Sequence, residues 1–572
     1  MPDFFTALRN NRKTIFLLAL PLLAGILARF WGLAWHFTST DDLGTIEHLL
    51  IGQSQHDIFF IPKTLTNAPF QYLITYFLIS PAMDYRQLLF WARLPSCIFS
   101  CLALLALVFF YRRYDKEAVF KCFLALMLLA CSWENIAFAK LTHSYAIGVL
   151  ASALFCWLFI AQITAKTFTL KRAFATGVVL AALSSMQYQI LLFVPAFYLA
   201  LFVFRFRTSE NRANIARSFL VSAVFFVFLV FPLWYFFLKP QYFDFARKVQ
   251  WAFGPSGEYA FPKTAWSDIP RFYLGTLLTV FQTKTGFFPE NHPLFGLFSI
   301  SLYLLFLLGV LNFLISPKRQ TRSLGLLFGL SLLTWWIMVP VKSLPWSPSR
   351  HTLILLPFLC ITAAEGWEGL SGLFRMFSGK AIPERWLNRF LLGTGLLILG
   401  TFVTYYGVFL KERRDPIEEK EICRILETYD PDILIYDKRG FHLEFMKQLK
   451  ALYEKMLQKP VSEVRTFAIL TRYPAASVQK RCEYYREIYN YFAAKGSGTD
   501  PGTPPALIRS PCSEFTTVYH REIDSEVTEM FTHKIKADIF TNRFFFYILS
   551  VDPEKKKIAD ILRKPEPQVR TV

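Results

Sequence analysis

The sequence has few charged residues and none of the common nucleotide-binding motifs. Only 18% of its 572 residues are charged, whereas 54% are hydrophobic and 17% are aromatic. It contains no P-loop, no glycine-rich dinucleotide fingerprint and no internal repeat. This composition is too apolar for a soluble chain of such length, so it indicates that lipid is the solvent for most of the protein.

Cysteine is also sparse. The nine cysteines show no paired metal-ligand spacing, and most lie in apolar segments, where we expect small buried side chains. Cys423, Cys482 and Cys512 lie in the C-terminal part and allow at most one disulfide there. No cleavable signal peptide is evident, because the apolar segment 14–35 is too long and reaches no small-residue cleavage site. The first segment is therefore predicted to be a retained helix.

The long apolar runs predict a polytopic α-helical membrane protein. With roughly 20 residues per span, about eleven transmembrane helices are expected. They are placed near 13–35, 94–111, 118–138, 144–162, 173–189, 191–206, 216–238, 293–315, 324–341, 351–372 and 389–410. Gln187, Tyr188, Gln189 and Pro195 interrupt the run 173–206, which therefore suggests a hairpin of two short helices.

The formal net charge of +20 suggests nucleic acid as a partner, but the distribution of the charges along the chain argues against it. The excess lies almost entirely within residues 1–410, in the loops between apolar segments. Short loops on one side are rich in Lys and Arg, whereas those on the other side carry only Lys140, Lys342 and Arg350. By the positive-inside rule the N-terminus is cytoplasmic and residues 411–572 lie outside.

Two long loops, 36–93 and 239–292, are also predicted to lie outside. Their stretches Thr45–Ile51, Phe70–Ile79 and Phe272–Phe281 are too short to span a bilayer and fit juxtamembrane helices in the interface. Residues 1–410 therefore form the transmembrane domain. Residues 411–572 alternate helix-like and strand-like segments, including 432–436, 464–470 and 544–551, which predicts a small α/β domain.

An acidic pair, Asp41-Asp42, follows the first predicted helix in the segment Thr40-Asp41-Asp42-Leu43-Gly44. Carboxylates just beyond the hydrocarbon edge can reach both a lipid headgroup and an aqueous acceptor. The structural alternative is that Ser39, Thr40 or Asp41 caps the next helix by accepting from exposed backbone N–H groups. The two roles are compatible.

Further motifs follow in a fixed order along the chain. They are Asn67-Ala68-Pro69-Phe70-Gln71-Tyr72-Leu73, then Ala92-Arg93-Leu94-Pro95-Ser96, then Ala139-Lys140-Leu141-Thr142-His143-Ser144-Tyr145-Ala146, and finally Ser349-Arg350-His351-Thr352 with Pro357. With the acidic pair, this series resembles the GT-C superfamily of membrane glycosyltransferases, in the branch of protein mannosyltransferases and lipid A aminoarabinose transferases. The sequence departs from that pattern in having Asp-Asp for Asp-Glu, His-Ser for Pro and His for Tyr, which leaves the sugar and the acceptor open.

The resemblance implies a GT-C-like bundle that transfers a sugar from a polyprenyl-phosphate donor to a glycan, lipid or protein acceptor. Asp41 aligns with the catalytic base of those families, with Asp42 next, and Glu47 and Tyr145 are placed near the acceptor. Cations at outer helix ends would bind the donor phosphate: Arg93, Lys140, His143, Lys342, Arg350 and His351. The alternative for each cation is a headgroup anchor, and for Glu47 a solvated helix face.

One carboxylate acting as base in a single displacement inverts the anomeric centre, whereas retention needs a second carboxylate as nucleophile. No metal is predicted to be required, because the second outer-loop position, near Lys140, is basic; a divalent cation is the alternative, and His292 is a lone candidate ligand. Two other functions stay open, a flippase for lipid-linked sugars and a non-catalytic assembly protein. The expected location is a bacterial inner membrane, with a periplasmic C-terminal domain.

Overall fold

The structure is a computed structural model of the chain. It describes residues 12–33, 45–46, 49–50, 52–53, 56–58, 68–80, 82–83, 85–115, 119–208, 212–239, 268–285, 295–339, 346, 350–378, 383, 386, 389–390, 393–403, 428, 430, 433–436, 466–471, 516–524 and 543–550. The chain divides into two compact units, one of residues 1–34 and 44–408 and the other of residues 35–43 and 409–572. Each is described by itself.

All regular secondary structure among the described residues of the larger unit is helical. Its helices are α1 (Arg12–Phe30), α2 (Pro69–Leu78), α3 (Tyr85–Tyr114), α4 (Val119–Cys131), α5 (Trp133–Phe138), α6 (Tyr145–Ile163), α7 (Leu170–Met186), α8 (Ile190–Thr208), α9 (Arg212–Leu233), α10 (Asp268–Thr285), α11 (Phe295–Ile315), α12 (Arg319–Met338), α13 (Leu356–Ser378) and α14 (Gly393–Val403). A π-helical turn, Trp234–Leu238, extends α9, and a 3₁₀ turn, Arg350–Leu355, precedes α13.

The prediction of a polytopic helical membrane protein is confirmed. Within the described residues, six helical segments are long and apolar enough to cross a membrane, and four shorter apolar helices accompany them. Every predicted span overlaps a helix, and the break predicted in 173–206 falls between Met186 and Ile190. The juxtamembrane segments around Phe70 and Phe272 are helical as well, in α2 and α10. The total of about eleven spans stays a prediction.

Two differences from the predicted helices have physical causes. The segment predicted as one helix over 118–138 is two helices, because the Ser132 hydroxyl accepts from the backbone N–H of Asn135 and starts α5 anew. Arg350 and His351, predicted at the entry of an α-helix, lie in the 3₁₀ turn before α13. Both changes place polar side chains at helix ends, where backbone groups lack intrahelical partners.

Helices α11 and α13 make the closest helix pair, and glycine permits it. A Cβ at Gly309 would overlap the carbonyl oxygen of Thr362, and one at Gly366 would overlap the carbonyl oxygen of Leu305. Small residues at such positions let two backbones approach within a membrane, where van der Waals contact drives helix association. Elsewhere α1 packs on α4, α3 on α6, α7 on α9 and α8 on α12.

A network of charged side chains joins α4, α11 and α13. Lys121 of α4 contacts the carboxylates of Glu365 at 3.1 Å and Glu368 at 2.5 Å, both on α13. Asn312 of α11 donates to Glu365 at 3.1 Å. Glu365 is fully buried, so its charge depends on Lys121 for compensation. Lys318, which precedes α12, pairs with Glu368 at 3.1 Å from a half-exposed position.

The smaller unit contains a four-stranded sheet of β1 (Ile433–Tyr436), β2 (Thr466–Thr471), β3 (Thr516–Asp524) and β4 (Arg543–Ser550), in the order β1-β2-β4-β3. Strands β1 and β2 are parallel, and β4 is antiparallel to β2 and β3. Three strands fall at predicted positions, and β3 was not predicted. The helices predicted near 418–429, 441–457 and 481–494 lie outside the described residues.

Candidate functional site

The end of α1 is held by two cations from other helices. The Lys140 ammonium donates to the carbonyl of Trp31 at 2.6 Å, and the Arg93 guanidinium donates to the carbonyl of Leu33 at 3.1 Å. Both cations are fully buried. Gly32, between the two acceptors, has a φ of 77°, the left-handed conformation that commonly ends a helix. Lys140 and Arg93 therefore stabilise the C-terminal carbonyls of α1, where cations are favoured.

A chain of hydrogen bonds links three of the sequence motifs. Gln71 of α2 donates to the Ser96 hydroxyl at 2.6 Å, and that hydroxyl donates to the carbonyl of His143 at 3.3 Å. The Tyr72 hydroxyl lies 3.5 Å from Nδ1 of His143. Burial raises the pKa of Tyr72 well above its usual value, so its hydroxyl is protonated at neutral pH. The motifs around Gln71, Ser96 and His143 are thus one structural unit.

The fourth motif joins the same unit through Tyr145. The Arg350 guanidinium lies over the Tyr145 ring, 5.6 Å from its centroid, and the His351 ring meets Tyr145 edge-on at 6.0 Å. The rings of His143 and Tyr145 lie 5.5 Å apart. Gln189, in the turn between α7 and α8, donates to the carbonyl of His351 at 3.2 Å. Tyr145 therefore contacts residues from both histidine-containing motifs.

Sequence analysis missed an ion pair next to these residues. Both carboxylate oxygens of Glu134, on α5, lie 2.5 Å from the ammonium of Lys284, near the end of α10. Lys284 is fully buried, and Glu134 is 7% exposed. Helix α10, which carries Lys284, contacts the 3₁₀ turn of Arg350 and His351. Lys284 lies in a long loop, whereas the comparison of basic residues concerned short loops. No local sequence pattern pairs it with Glu134, which is 150 residues away.

Arg29 is a second buried cation that sequence analysis missed. It lies within α1 and donates to the Ser100 hydroxyl of α3 at 2.7 Å. It also donates to the carbonyls of Leu129 and Ala130, at the end of α4, at 3.0 Å each. These bonds fix α1 against α3 and α4, so Arg29 supports the end of α1 from inside the bundle.

The other predicted site residues lie outside the described residues: Asp41, Asp42, Glu47, Lys342 and His292. Within the described part of the chain, no three His, Cys, Asp or Glu side chains form a metal-binding group. The acidic pair is not in that part, so the absence of a required metal stays a prediction.

The described site is strongly cationic. Its cations are Arg93, Lys140, Lys284 and Arg350, and Glu134 is the carboxylate paired with Lys284. The rings of His143 and His351 both contact Tyr145. Positive groups that share a low-dielectric environment repel one another, so an anion in their midst would be bound strongly. Chemically, the arrangement is suited to hold a phosphate or carboxylate group.

Two solved structures resemble this chain. They are ArnT from Cupriavidus metallidurans bound to undecaprenyl phosphate, with 11% identity and a TM-score of 0.44, and the apo state of the same protein, with 10% identity and a TM-score of 0.47. Each match covers 82% of this chain and 94% of ArnT. A likeness of this size does not assign an activity.

No protein-family model matches the sequence, and no curated protein matches it.

Proposed function

We propose that this chain is a membrane glycosyltransferase that moves a sugar from a polyprenyl-phosphate donor to an acceptor on the extracytoplasmic face. The observation that carries the proposal is that four separate motifs contact one another and that cations of two of them, Arg93 and Lys140, bind the carbonyls that follow α1. Arg350 and His351 contact the Tyr145 ring, and Lys140 contacts the backbone at Trp31. These are residues that the GT-C resemblance assigns to the donor site.

The chemistry of the donor explains why cations are needed there. A polyprenyl phosphate is an adequate leaving group, so the reaction requires little acid catalysis. It requires stabilisation of negative charge, because the phosphate gains charge as the bond to the sugar breaks. Fixed cations in a water-poor site provide that stabilisation without reorganising during the reaction. Arg350 is the strongest candidate, because a guanidinium binds phosphate through two parallel hydrogen bonds.

Asp41 is proposed as the base. In the sequence it follows Trp31 and Leu33, whose carbonyls accept from Lys140 and Arg93, and this short separation along the chain supports the assignment. The acceptor oxygen attacks the anomeric carbon, the acceptor proton passes to Asp41, and the carbon–oxygen bond to phosphate breaks. Polyprenyl phosphate leaves, and one displacement inverts the anomeric centre.

We place the protein in a bacterial inner membrane, with the N-terminus in the cytoplasm and residues 411–572 in the periplasm. The distribution of Lys and Arg between the short loops supports this orientation. The C-terminal domain then lies on the side where the acceptor is found, and acceptor binding is its proposed role.

A flippase for lipid-linked sugars is the second candidate. The observation in its favour is the buried network of Lys121 with Glu365, since ionisable residues inside membrane helices often mark transport pathways. A flippase moves the donor without breaking its glycosidic bond. Release of free polyprenyl phosphate from the donor therefore separates the two functions.

The proposed function is tested with purified full-length protein in lipid nanodiscs. A panel of polyprenyl-phosphate sugars is supplied with a membrane extract as acceptor, and release of polyprenyl phosphate is measured by mass spectrometry. We expect wild type to release it and Asp41→Asn to lose at least about 100-fold in rate while still binding undecaprenyl phosphate. Asp57→Asn, in the same outer loop, is the matched control and is expected to keep wild-type activity.

An Asp41→Asn variant as active as wild type would refute the assignment of the base. Absence of release by wild type, together with movement of intact donor across the bilayer, would favour the flippase.

A further inference from the structure

The ion pair of Glu134 and Lys284 connects two elements that are distant in sequence. The Lys284 ammonium lies 2.5 Å from both oxygens of Glu134. The backbone around it is fixed separately: the Ser132 hydroxyl donates to the carbonyl of Lys284 at 2.6 Å. The opposite part of α10 is held where the Tyr273 hydroxyl donates to the carbonyl of Trp336 at 2.6 Å. The position of α10 therefore does not depend on the ion pair alone.

A buried pair of this kind costs more than it gains as a purely structural device. Removing two charges from water is expensive, and replacing such a pair by apolar residues is often neutral or stabilising. Burial lowers the pKa of Lys284, and the charge of Glu134 opposes that shift. Lys284 thus holds a charge that a stronger anionic partner would stabilise further.

The surroundings of the pair point to the nature of that partner. Helix α10 contacts α5 and the 3₁₀ turn that carries Arg350 and His351. In that turn Arg350 lies over the Tyr145 ring, which also contacts the ring of His143. An anion that enters this group meets several cations and one carboxylate, so it competes with Glu134 for Lys284.

We propose that Lys284 is a phosphate-binding residue of the donor site and that Glu134 is its exchangeable counter-ion, released when the donor phosphate binds. The proposal rests on the proposed function. The ammonium is on a flexible four-carbon chain, so it can turn from carboxylate to phosphate while α10 stays in place. Glu134 then faces the remaining cations of the site. The exchange favours the doubly charged leaving phosphate over the singly charged donor, which stabilises the later stage of the reaction.

The experiment measures binding of undecaprenyl phosphate to full-length protein in nanodiscs by intrinsic tryptophan fluorescence, with undecaprenol as the uncharged reference. Lys284→Met is expected to weaken phosphate-dependent binding by about tenfold or more, the loss typical of a charge-assisted hydrogen bond. Glu134→Gln is expected to bind at least as tightly as wild type, because the competing carboxylate is gone. In the double variant Glu134→Gln with Lys284→Met, neither charge of the pair remains. It therefore tests the loss of phosphate-dependent binding without an unpaired buried charge that could unfold the protein.

The decisive variant exchanges the two residues, Glu134→Lys with Lys284→Glu. An ion pair with a purely structural role keeps that role when its two residues are exchanged. Binding of undecaprenyl phosphate by the exchanged protein at the wild-type level would therefore overturn the proposal. We expect a thermal unfolding temperature close to that of wild type but no recovery of phosphate binding. Binding by the double neutral variant that equals wild type would also overturn it. If wild type itself does not distinguish undecaprenyl phosphate from undecaprenol, the proposed function fails instead.

Discussion

The ammonium of Lys140 lies 2.6 Å from the carbonyl oxygen of Trp31, at the residue that follows α1. A residue predicted to bind donor phosphate therefore already has a backbone partner. The contact also fixes the direction in which the chain leaves α1. Lys140 thus combines a structural contact with a charge in the proposed donor site.

Replacing Lys140 is expected to affect both stability and binding. Lys140→Met removes the charged donor that binds the Trp31 carbonyl, a loss of about 1–3 kcal/mol for a hydrogen bond to a charged group. We expect a lower unfolding temperature and weaker binding of undecaprenyl phosphate. Lys239→Met is the control, because Lys239 is an exposed cation beside Trp234 at the end of another helical segment. Equal effects of the two substitutions would show that the Trp31 contact has no special role.

The contact of Arg350 with Tyr145 predicts a difference between losing the cation and losing a hydroxyl. Arg350→Met is expected to weaken binding of undecaprenyl phosphate by about tenfold, the effect of one charge-assisted hydrogen bond. Tyr145→Phe keeps the ring face that Arg350 covers at 5.6 Å, so its binding is expected to be nearly unchanged. Titration of both variants in nanodiscs checks this. A larger loss in Tyr145→Phe would instead assign direct phosphate contact to the hydroxyl.

The glycine contact between α11 and α13 predicts that alanine at Gly366 lowers stability, whereas alanine at Gly372 does not. Gly366→Ala places a Cβ against the backbone oxygen of Leu305, which cannot move aside as a side chain would, so a loss of about 1–3 kcal/mol is expected. Gly372→Ala, on the same helix, has open space around the new methyl group and gains helix propensity. Thermal unfolding in detergent compares the two. Similar stability of the two variants would contradict the close packing.

The buried charge network predicts that its two lysines differ in importance. Lys121→Met leaves the fully buried Glu365 without compensation and is expected to cost about 3–5 kcal/mol. Lys318 is half exposed, so Lys318→Met is expected to cost about 0–1 kcal/mol. Adding Glu365→Gln to Lys121→Met removes the uncompensated charge, and much of the stability is expected to return. If Glu365→Gln lowers the stability of Lys121→Met further, the uncompensated charge of Glu365 is not the cause of the loss.

Helix positions were largely predictable from sequence, because about 20 apolar residues in a row have few alternatives to a membrane helix. The break between α7 and α8 was also visible, since three polar residues interrupt the apolar run at Gln187. The break at Ser132 was not. Residues 122–131 are uninterrupted apolar residues, and α5 begins after them because the Ser132 hydroxyl caps it and also reaches the carbonyl of Lys284. The contact of Ser132 with Lys284 is a tertiary contact, so the local sequence does not predict it.

The site was predictable only as a set of motifs. Their order along the chain indicated that Arg93, Lys140 and Arg350 belong to one site. The structure places Arg93 and Lys140 at the carbonyls that follow α1 and Arg350 over the Tyr145 ring. Which atoms they contact was not predictable, because two of them bind backbone carbonyls, and every residue presents a carbonyl. The pairing of Glu134 with Lys284 was not predictable from the sequence either, because it depends on the packing of α10 against α5.

The most direct test of the account is whether the site recognises the phosphate of a polyprenyl lipid. The affinities of purified wild-type protein for undecaprenyl phosphate and undecaprenol are compared in nanodiscs at fixed ionic strength. The lipid tails are identical, so the difference reports the cationic cluster alone. We predict a preference for the phosphate of at least about 100-fold, as expected for two or more charge-assisted hydrogen bonds. Equal affinity for the two lipids would contradict the account.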